Sequence, residues 1–304
     1  MTRKPLFTIV TPVYNAAQTL HRCSNSILGQ SFVEWEWLLV DDGSVDNSWE
    51  YMEGLAQEDK RIRVFREENM GPSVARNVGL DNAEGEYVLF MDADDYYPEK
   101  NVLSCLADTI ERYSEVDVIF FPGNVVQPDG TICPTYYNNY VYDKGCSCIE
   151  EYCCKRLSIV FGAIYVQCVR RLLITQSKIS FKSSIVYGED RLFVMNCFLK
   201  AKKTVVISNP LYNYVVTKDS LMHDAVRLKR QAKDVITVAL EIEKLLWGCS
   251  IEMPHLRKYI HGLYVQHVDE LRRNEIDWRF VFRNASTLRL KTKDVLLFLG
   301  INLY

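Results

Sequence analysis

The chain has 304 residues, 48% of them hydrophobic and 25% charged, with a net charge of −3. That is enough core-forming material for one large domain, or a domain with an appendage, and the mild negative charge gives no reason to expect nucleic acid as a partner. No stretch reaches the roughly 18 uninterrupted apolar residues of a spanning helix. The start carries no secretory pattern, because the apolar run after Arg3 and Lys4 stops at Thr11 and Pro12 with no small-residue cleavage site. The expected location is the cytoplasm, including the cytoplasmic face of a membrane.

In chain order, Leu6–Val10 reads as a buried strand ending at Thr11 and Pro12. Asn15 is placed to cap a helix over Ala17–Leu28, which Gly29 ends. Trp35–Val40 is a second strand, closed by Asp41-Asp42-Gly43-Ser44. Ser44 or Asp46 then caps a helix through about Gln57. Ile62–Phe65 is a third strand, Gly71-Pro72 a turn, and Ser73 the start of a helix to about Leu80. Tyr87–Met91 is a fourth strand that runs into Asp92-Ala93-Asp94-Asp95.

Such alternation argues for an α/β fold, a parallel sheet covered by helices, with ligands bound beyond the carboxyl ends of the strands. Three polar clusters are gathered at that edge. Further on, Asp117–Phe121, Val205–Ile207 and Leu211–Val216 suit short strands, and a helix begins around Gly188-Glu189-Asp190. Residues 122–160 give no clear pattern. Long helices are expected near 225–247 and 255–274, so a catalytic domain over 1–216 is set against a helical extension over 217–304.

Asp92 and Asp94, spaced i, i+2 at a strand end, are able to turn toward one point and hold Mg2+ or Mn2+ together with substrate phosphates. The competing reading is an acidic turn with Asp95 capping the next helix. Asp42 is a fixed acceptor for the imide N–H of a uracil, or else part of an ordinary strand-to-helix loop. Glu189 and Asp190 suit a general base for a sugar hydroxyl, or simply a helix start favoured by its dipole. Arg76 is placed to reach a base carbonyl or a phosphate, and Lys218 and Ser220 to hold a diphosphate.

Together these segments resemble the family 2 glycosyltransferases. The motifs are Thr11-Pro12-Val13-Tyr14-Asn15, Asp41-Asp42-Gly43-Ser44, Gly71-Pro72-Ser73-Val74-Ala75-Arg76-Asn77, Gly85 through Asp95, and Gly188-Glu189-Asp190. The resemblance covers roughly residues 5–220. It implies a GT-A fold, a Rossmann-like mixed sheet flanked by helices. The implied reaction is an inverting transfer from a nucleotide-sugar, usually a UDP-sugar, to a saccharide or lipid-linked saccharide, as in surface polysaccharide synthesis. By position it places Thr11 and Asp42 on the base with Arg76 nearby, and counts Pro12, Tyr14 and Asp95 among the donor-binding residues. Asp92 falls near the ribose and the metal, Asp94 is the direct metal ligand, and Asp190 is the base, with Glu189 as the alternative register.

From residue 272 onward, Lys or Arg stands at 272, 273, 279, 283, 289, 291 and 293, interleaved with Trp278, Phe280 and Phe282 and followed by the apolar run Val295–Leu299. This suits either peripheral contact with an anionic membrane or a basic helix packed on its own domain. Cys146, Cys148, Cys153 and Cys154 crowd together, but not at the C-x-x-C spacing usual for structural zinc. A dehydrogenase would want G-x-G-x-x-G after the first strand, and a sugar nucleotidyltransferase a glycine-rich basic loop. Thr11-Pro12-Val13-Tyr14-Asn15-Ala16 is neither. A binding scaffold that has kept the fold but lost activity is the remaining rival.

Overall fold

The computed structural model describes residues 4–135, 138–154, 163–217, 225–247 and 252–272. Strand and helix alternate through the first part: β1 (Phe7–Val13), α1 (Leu20–Leu28), β2 (Trp35–Asp41), α2 (Ser48–Glu58), β3 (Ile62–Arg66), α3 (Pro72–Asn82), β4 (Tyr87–Phe90) and α4 (Val102–Arg112). There follow β5 (Val118–Phe120), β6 (Gly123–Val126), β7 (Ile132–Pro134), β8 (Tyr140–Tyr142), α5 (Gly145–Cys154), β9 (Gln167–Arg170) and α6 (Arg171–Gln176). The chain goes on through α7 (Glu189–Lys200), β10 (Thr204–Val206), β11 (Tyr212–Val215), α8 (Ala225–Trp247) and α9 (Pro254–Arg272).

The main sheet has eight strands in the order β3-β2-β1-β4-β9-β5-β10-β8. The first four are mutually parallel, β9 is antiparallel to both β4 and β5, and β8 is antiparallel to β10. This is a mixed sheet, as the resemblance implies. A smaller sheet, β11-β6-β7, sits beside it.

The central strands are buried along their whole length because helices cover both faces. β1 and β2 accordingly read as near-continuous apolar runs rather than alternating ones. Two polar residues, Thr8 and Glu36, interrupt them under the sheet's amino end. Glu36 accepts from the Thr8 hydroxyl at 2.6 Å, from the Glu84 N–H at 2.6 Å and from Arg63 at 3.1 Å. A buried carboxylate is tolerated here because each oxygen is occupied.

α8 and α9 are not detached from this body. Ile236, Val238, Ala239, Ile242, Leu256 and Ile260 join the same hydrophobic cluster as the sheet. Asp234 on α8 accepts from the N–H groups of Val186 and Tyr187 at 2.9 and 3.2 Å, so α8 holds the loop that leads into α7. Among the described residues no helix is long and apolar enough to cross a membrane. Cys146 and Cys148 are free thiols on α5, Cys148 being buried in the core. The side chains of Cys153 and Cys154 lie outside the described residues.

Candidate active site

The loops after β1 and β2 are stitched together by short polar side chains. Asn15 adopts a left-handed φ of 48°. Its N–H donates to the Ser44 hydroxyl at 2.9 Å, and its side-chain oxygen accepts from the Val45 N–H at 2.9 Å. The Ala16 N–H donates to Ser48 Oγ at 2.8 Å and the Ala17 N–H to Asp46 at 3.0 Å, while Asp46 also accepts from the Ser48 N–H at 3.0 Å. The expected capping roles are therefore corrected. α1 begins at Leu20 after Thr19, α2 begins at Ser48 after Asn47, and Asn15, Ser44 and Asp46 serve the neighbouring loop instead.

Asp42 lies beside this seam, buried except at its edge. Its carboxylate accepts from the N–H of Met70 at 2.7 Å and of Gly71 at 2.9 Å, drawing the loop before α3 against the end of β2. Gly71 sits at φ 90°, open to glycine at no steric cost, and Pro72 supplies the first turn of α3. Burial raises the Asp42 proton affinity, and the two N–H donors oppose that. A carboxylate has about four acceptor positions, so these contacts leave room for one further donor such as a base imide.

Tyr14 is half exposed at the rim, and its hydroxyl accepts from Asn69 Nδ2 at 3.4 Å. Pro12 is half-buried. Thr11 departs from the expectation. It is wholly buried and its hydroxyl accepts from the Trp37 indole at 2.9 Å, so it supports the floor of the cleft rather than lining it.

The acidic turn follows β4. Arg22 of α1 lies over the Tyr96 ring and donates to the Asp94 carbonyl. Asp95 is completely buried. It accepts from the Tyr212 hydroxyl at 2.6 Å and from the Val215 N–H at 2.7 Å, and the same hydroxyl accepts from the Asp92 N–H at 3.1 Å. Asp95 therefore neither caps a helix nor reaches a ligand. It bolts β11 to the turn, because a buried carboxylate must spend its acceptors internally. Burial and the charges of Asp92 and Asp94 push its pKa upward.

Arg76 corrects the sequence reading most. It is 7% exposed, and its two terminal nitrogens reach Glu189 at 3.0 Å and Asp92 at 3.2 Å. It faces inward, as a clasp between the acidic turn and the first turn of α7, over the Phe181 ring. Gly188, at φ 80°, lets the chain turn sharply into α7. Burial and the adjacent Asp190 charge raise the pKa of Glu189 to about 7, against the opposing pull of Arg76. Asp190 is half-buried and accepts only from the Arg191 backbone N–H, at 2.7 Å, among the described residues. Burial raises its proton affinity too, opposed by Arg76 and Arg191.

Asp94 has the donor chemistry of a divalent-cation ligand. Its carboxylate forms no ion pair among the described residues; burial together with Asp92 raises its proton affinity, and the nearby Arg22 charge opposes that. No group of three or more His, Cys, Asp or Glu converges among the described residues. A cation here would take its remaining ligands from phosphates and water, as Mg2+ and Mn2+ commonly do. Lys218 and Ser220 lie outside the described residues. Tyr212, Asn69 and Arg22 were missed by sequence reasoning, and only β11's proximity to the turn reveals Tyr212.

The family model described as glycosyl transferase family 2 matches residues 8–143. Residues 8–143 form a glycosyl transferase family 2 domain. Glycosyltransferase GlyG of Streptococcus pneumoniae is 29% identical over 246 residues, covering 77% of this chain and 78% of GlyG. The crystal structure of Staphylococcus aureus TarS 1–349 in complex with UDP-GlcNAc superposes with a TM-score of 0.68 at 22% identity, covering 98% of this chain and 79% of that one. By sequence, this glycosyltransferase spans only 36% of full-length TarS, a poly(ribitol-phosphate) beta-N-acetylglucosaminyltransferase to which it is 27% identical. The mannosyltransferase PcManGT of Pyrobaculum calidifontis, in complex with GDP-Man and Mn2+, has a TM-score of 0.59 at 13% identity, covering 99% of this chain and 84% of that one. The mixed α/β fold is of the GT-A type seen in the TarS structures.

Proposed function

We propose that this glycosyltransferase moves a sugar from a UDP-sugar, with inversion, onto a hydroxyl of a saccharide or lipid-linked saccharide. The observation that carries the reading is the Arg76 clasp. It joins Asp92 to Glu189, a residue 113 positions from Arg76, so that the acidic turn and the start of α7 face one cleft. The UDP and UDP-GlcNAc complexes of TarS support a uridine donor. Asp42, with its remaining acceptor capacity, and Tyr14 at the rim are the base-side contacts.

In this reading Asp190 takes the proton of the acceptor hydroxyl as the oxygen attacks the anomeric carbon. The bond to the diphosphate breaks on the opposite face, which inverts the configuration. Glu189 keeps a like charge beside Asp190 and so favours proton uptake, while Arg76 limits that effect. Asp94 and Asp92 would hold Mn2+ or Mg2+, which supplies charge neutralisation for the departing diphosphate. Lys218 and Ser220 are assigned to the same diphosphate. The region 217–304 is assigned to acceptor or membrane docking, with peripheral membrane contact through 272–304, and 1–216 to the catalytic domain.

The test is thermal unfolding with UDP, GDP, CDP and ADP, each with Mn2+ and with chelator. A ligand at about 100 times its dissociation constant adds roughly 2.7 kcal/mol to a state it binds exclusively. The expected result is a shift with UDP and Mn2+ that chelator removes. A shift with another nucleotide would overturn the uracil assignment, and none at all would favour a scaffold.

A further inference from the structure

α7 opens on three charged residues, Glu189, Asp190 and Arg191, and the reaction uses only two. Arg191 is half-buried, and its Nε is fully covered with no hydrogen-bond partner. Among the described residues, its guanidinium has no ion-pair or hydrogen-bond acceptor. Every other described arginine that is buried or half-buried is held. Arg61 meets Asp59, Arg63 meets Glu36, Arg76 meets Glu189, Arg170 meets Glu86, Arg171 meets the Gly85 carbonyl and Arg257 meets Glu243.

Burying the Nε without an acceptor costs free energy, and the terminal nitrogens, which are not covered, stay open to a ligand. Arg191 lies close enough to Asp190 for its charge to favour the ionised carboxylate. The first turn of α7 adds a further positive potential in the same place. The donor's charge belongs with Asp92 and Asp94, so the molecule brought to Asp190 is the acceptor.

We propose that Arg191 binds a phosphate group carried by the acceptor, beside the hydroxyl that Asp190 deprotonates. This rests on Asp190 being the base, and it names the acceptor class as a phosphate-bearing polyol or saccharide. A planar guanidinium suits this work because it donates two parallel hydrogen bonds to neighbouring phosphate oxygens.

The experiment uses the full chain saturated with UDP and Mg2+, so that the donor's phosphate site is filled. Glycerol 1-phosphate and glycerol are then titrated into wild type, Arg191→Lys and Arg191→Gln by calorimetry. Wild type is expected to prefer the phosphate form, with affinity about tenfold weaker in Arg191→Gln and intermediate in Arg191→Lys. The thermal shift with UDP and Mg2+ should be the same in all three, which shows that the variants fold. Equal affinity for glycerol 1-phosphate in wild type and Arg191→Gln overturns the proposal, as does a wild type that does not distinguish the two probes. If Arg191→Gln alters only the acid limb of the pH–rate profile, Arg191 tunes Asp190 and the proposal also fails. Absence of any UDP shift in wild type would instead overturn the donor reading.

Discussion

Asp46, in the loop after β2, and Glu189, at the start of α7, are held in opposite ways. Asp46 works against modest desolvation, and its hydrogen bonds from Ser48 and Ala17 prevail, lowering its pKa. Glu189 is buried next to Asp190, and its pair with Arg76 does not offset that, so its pKa rises to about 7. The seam between the β1 and β2 loops is thus a cradle of local hydrogen bonds that stabilise the charged form. The α7 half carries charge that the fold tolerates only through one clasp. Stability is concentrated on the first side, and proton affinity suited to a base is concentrated on the second.

The largest expected effect separates the two halves functionally. Asp190→Asn should lower kcat by about 10² to 10⁴ while the thermal shift with UDP and Mn2+ persists. Asp94→Ala should remove that shift as well as turnover. If Asp190→Asn retains full turnover, the base assignment is wrong, and Glu189 is the next residue to test.

Next in size is removal of the clasp. Arg76→Met leaves Asp92 and Glu189 facing each other with no cation between them. Breaking a buried pair by deleting one partner costs about 3 kcal/mol or more, read from urea unfolding at neutral pH. Acidification should restore part of the loss, because protonation of Glu189 removes the exposed conflict. A loss that does not vary with pH would mean that Arg76 acts through packing on Phe181 alone.

Glu189→Gln tests the raised pKa itself. The folded protein binds this proton up to about pH 7, whereas the unfolded chain releases it near the ordinary glutamate value of 4.5. The folded state therefore holds more protons in that window, and this residue's contribution to stability falls as pH rises from about 4.5 through 7. In Glu189→Gln that part of the decline should vanish. The acid limb of the rate profile should also move to lower pH, because Asp190 loses its like-charged neighbour. An unchanged slope of stability against pH would show that Glu189 is already ionised in the folded protein.

The same contrast explains what the sequence made legible. Strands β1 to β4 were readable because each is a short apolar run closed by turn residues, and the expected Trp35–Val40 lies within the observed Trp35–Asp41. α8 was readable from its helical pattern across 225–247, the span observed. The central reversed strand β9 was not, since Gln167–Arg170 is four residues long and polar at both ends. The acidic motifs were visible, but not their division of labour. Asp92, Asp94 and Asp95 look alike in sequence, and only burial against Tyr212 turns Asp95 into an internal anchor. Arg76 looked placed to reach a base carbonyl or a phosphate, because its partner Glu189 is distant in the chain. Asn15, Ser44 and Asp46 had the chemistry of helix caps. That chemistry was used across two loops instead, a tertiary choice that local propensity does not encode.

The smallest predicted effect tests that last point. Asp46→Asn keeps the size of the side chain but removes the charge that takes N–H donors from Ala17 and Ser48. The carboxylate is largely screened by solvent, so the loss should be modest, about 1 kcal/mol at neutral pH. Its folded pKa lies below its unfolded one, so its stabilisation is present above about pH 4 and disappears as pH falls through the folded value. The gap in urea midpoint between wild type and Asp46→Asn should therefore close on acidification, where the contribution of Glu189 is at its most favourable. The donor side should also show it in binding, because Asp46 fixes the loop carrying Tyr14. UDP affinity should weaken slightly, while kcat at saturating donor stays near wild type. A fall in kcat with unchanged UDP affinity would mean that the seam between the β1 and β2 loops positions α7 as well, and that the two halves of the cleft are not independently held.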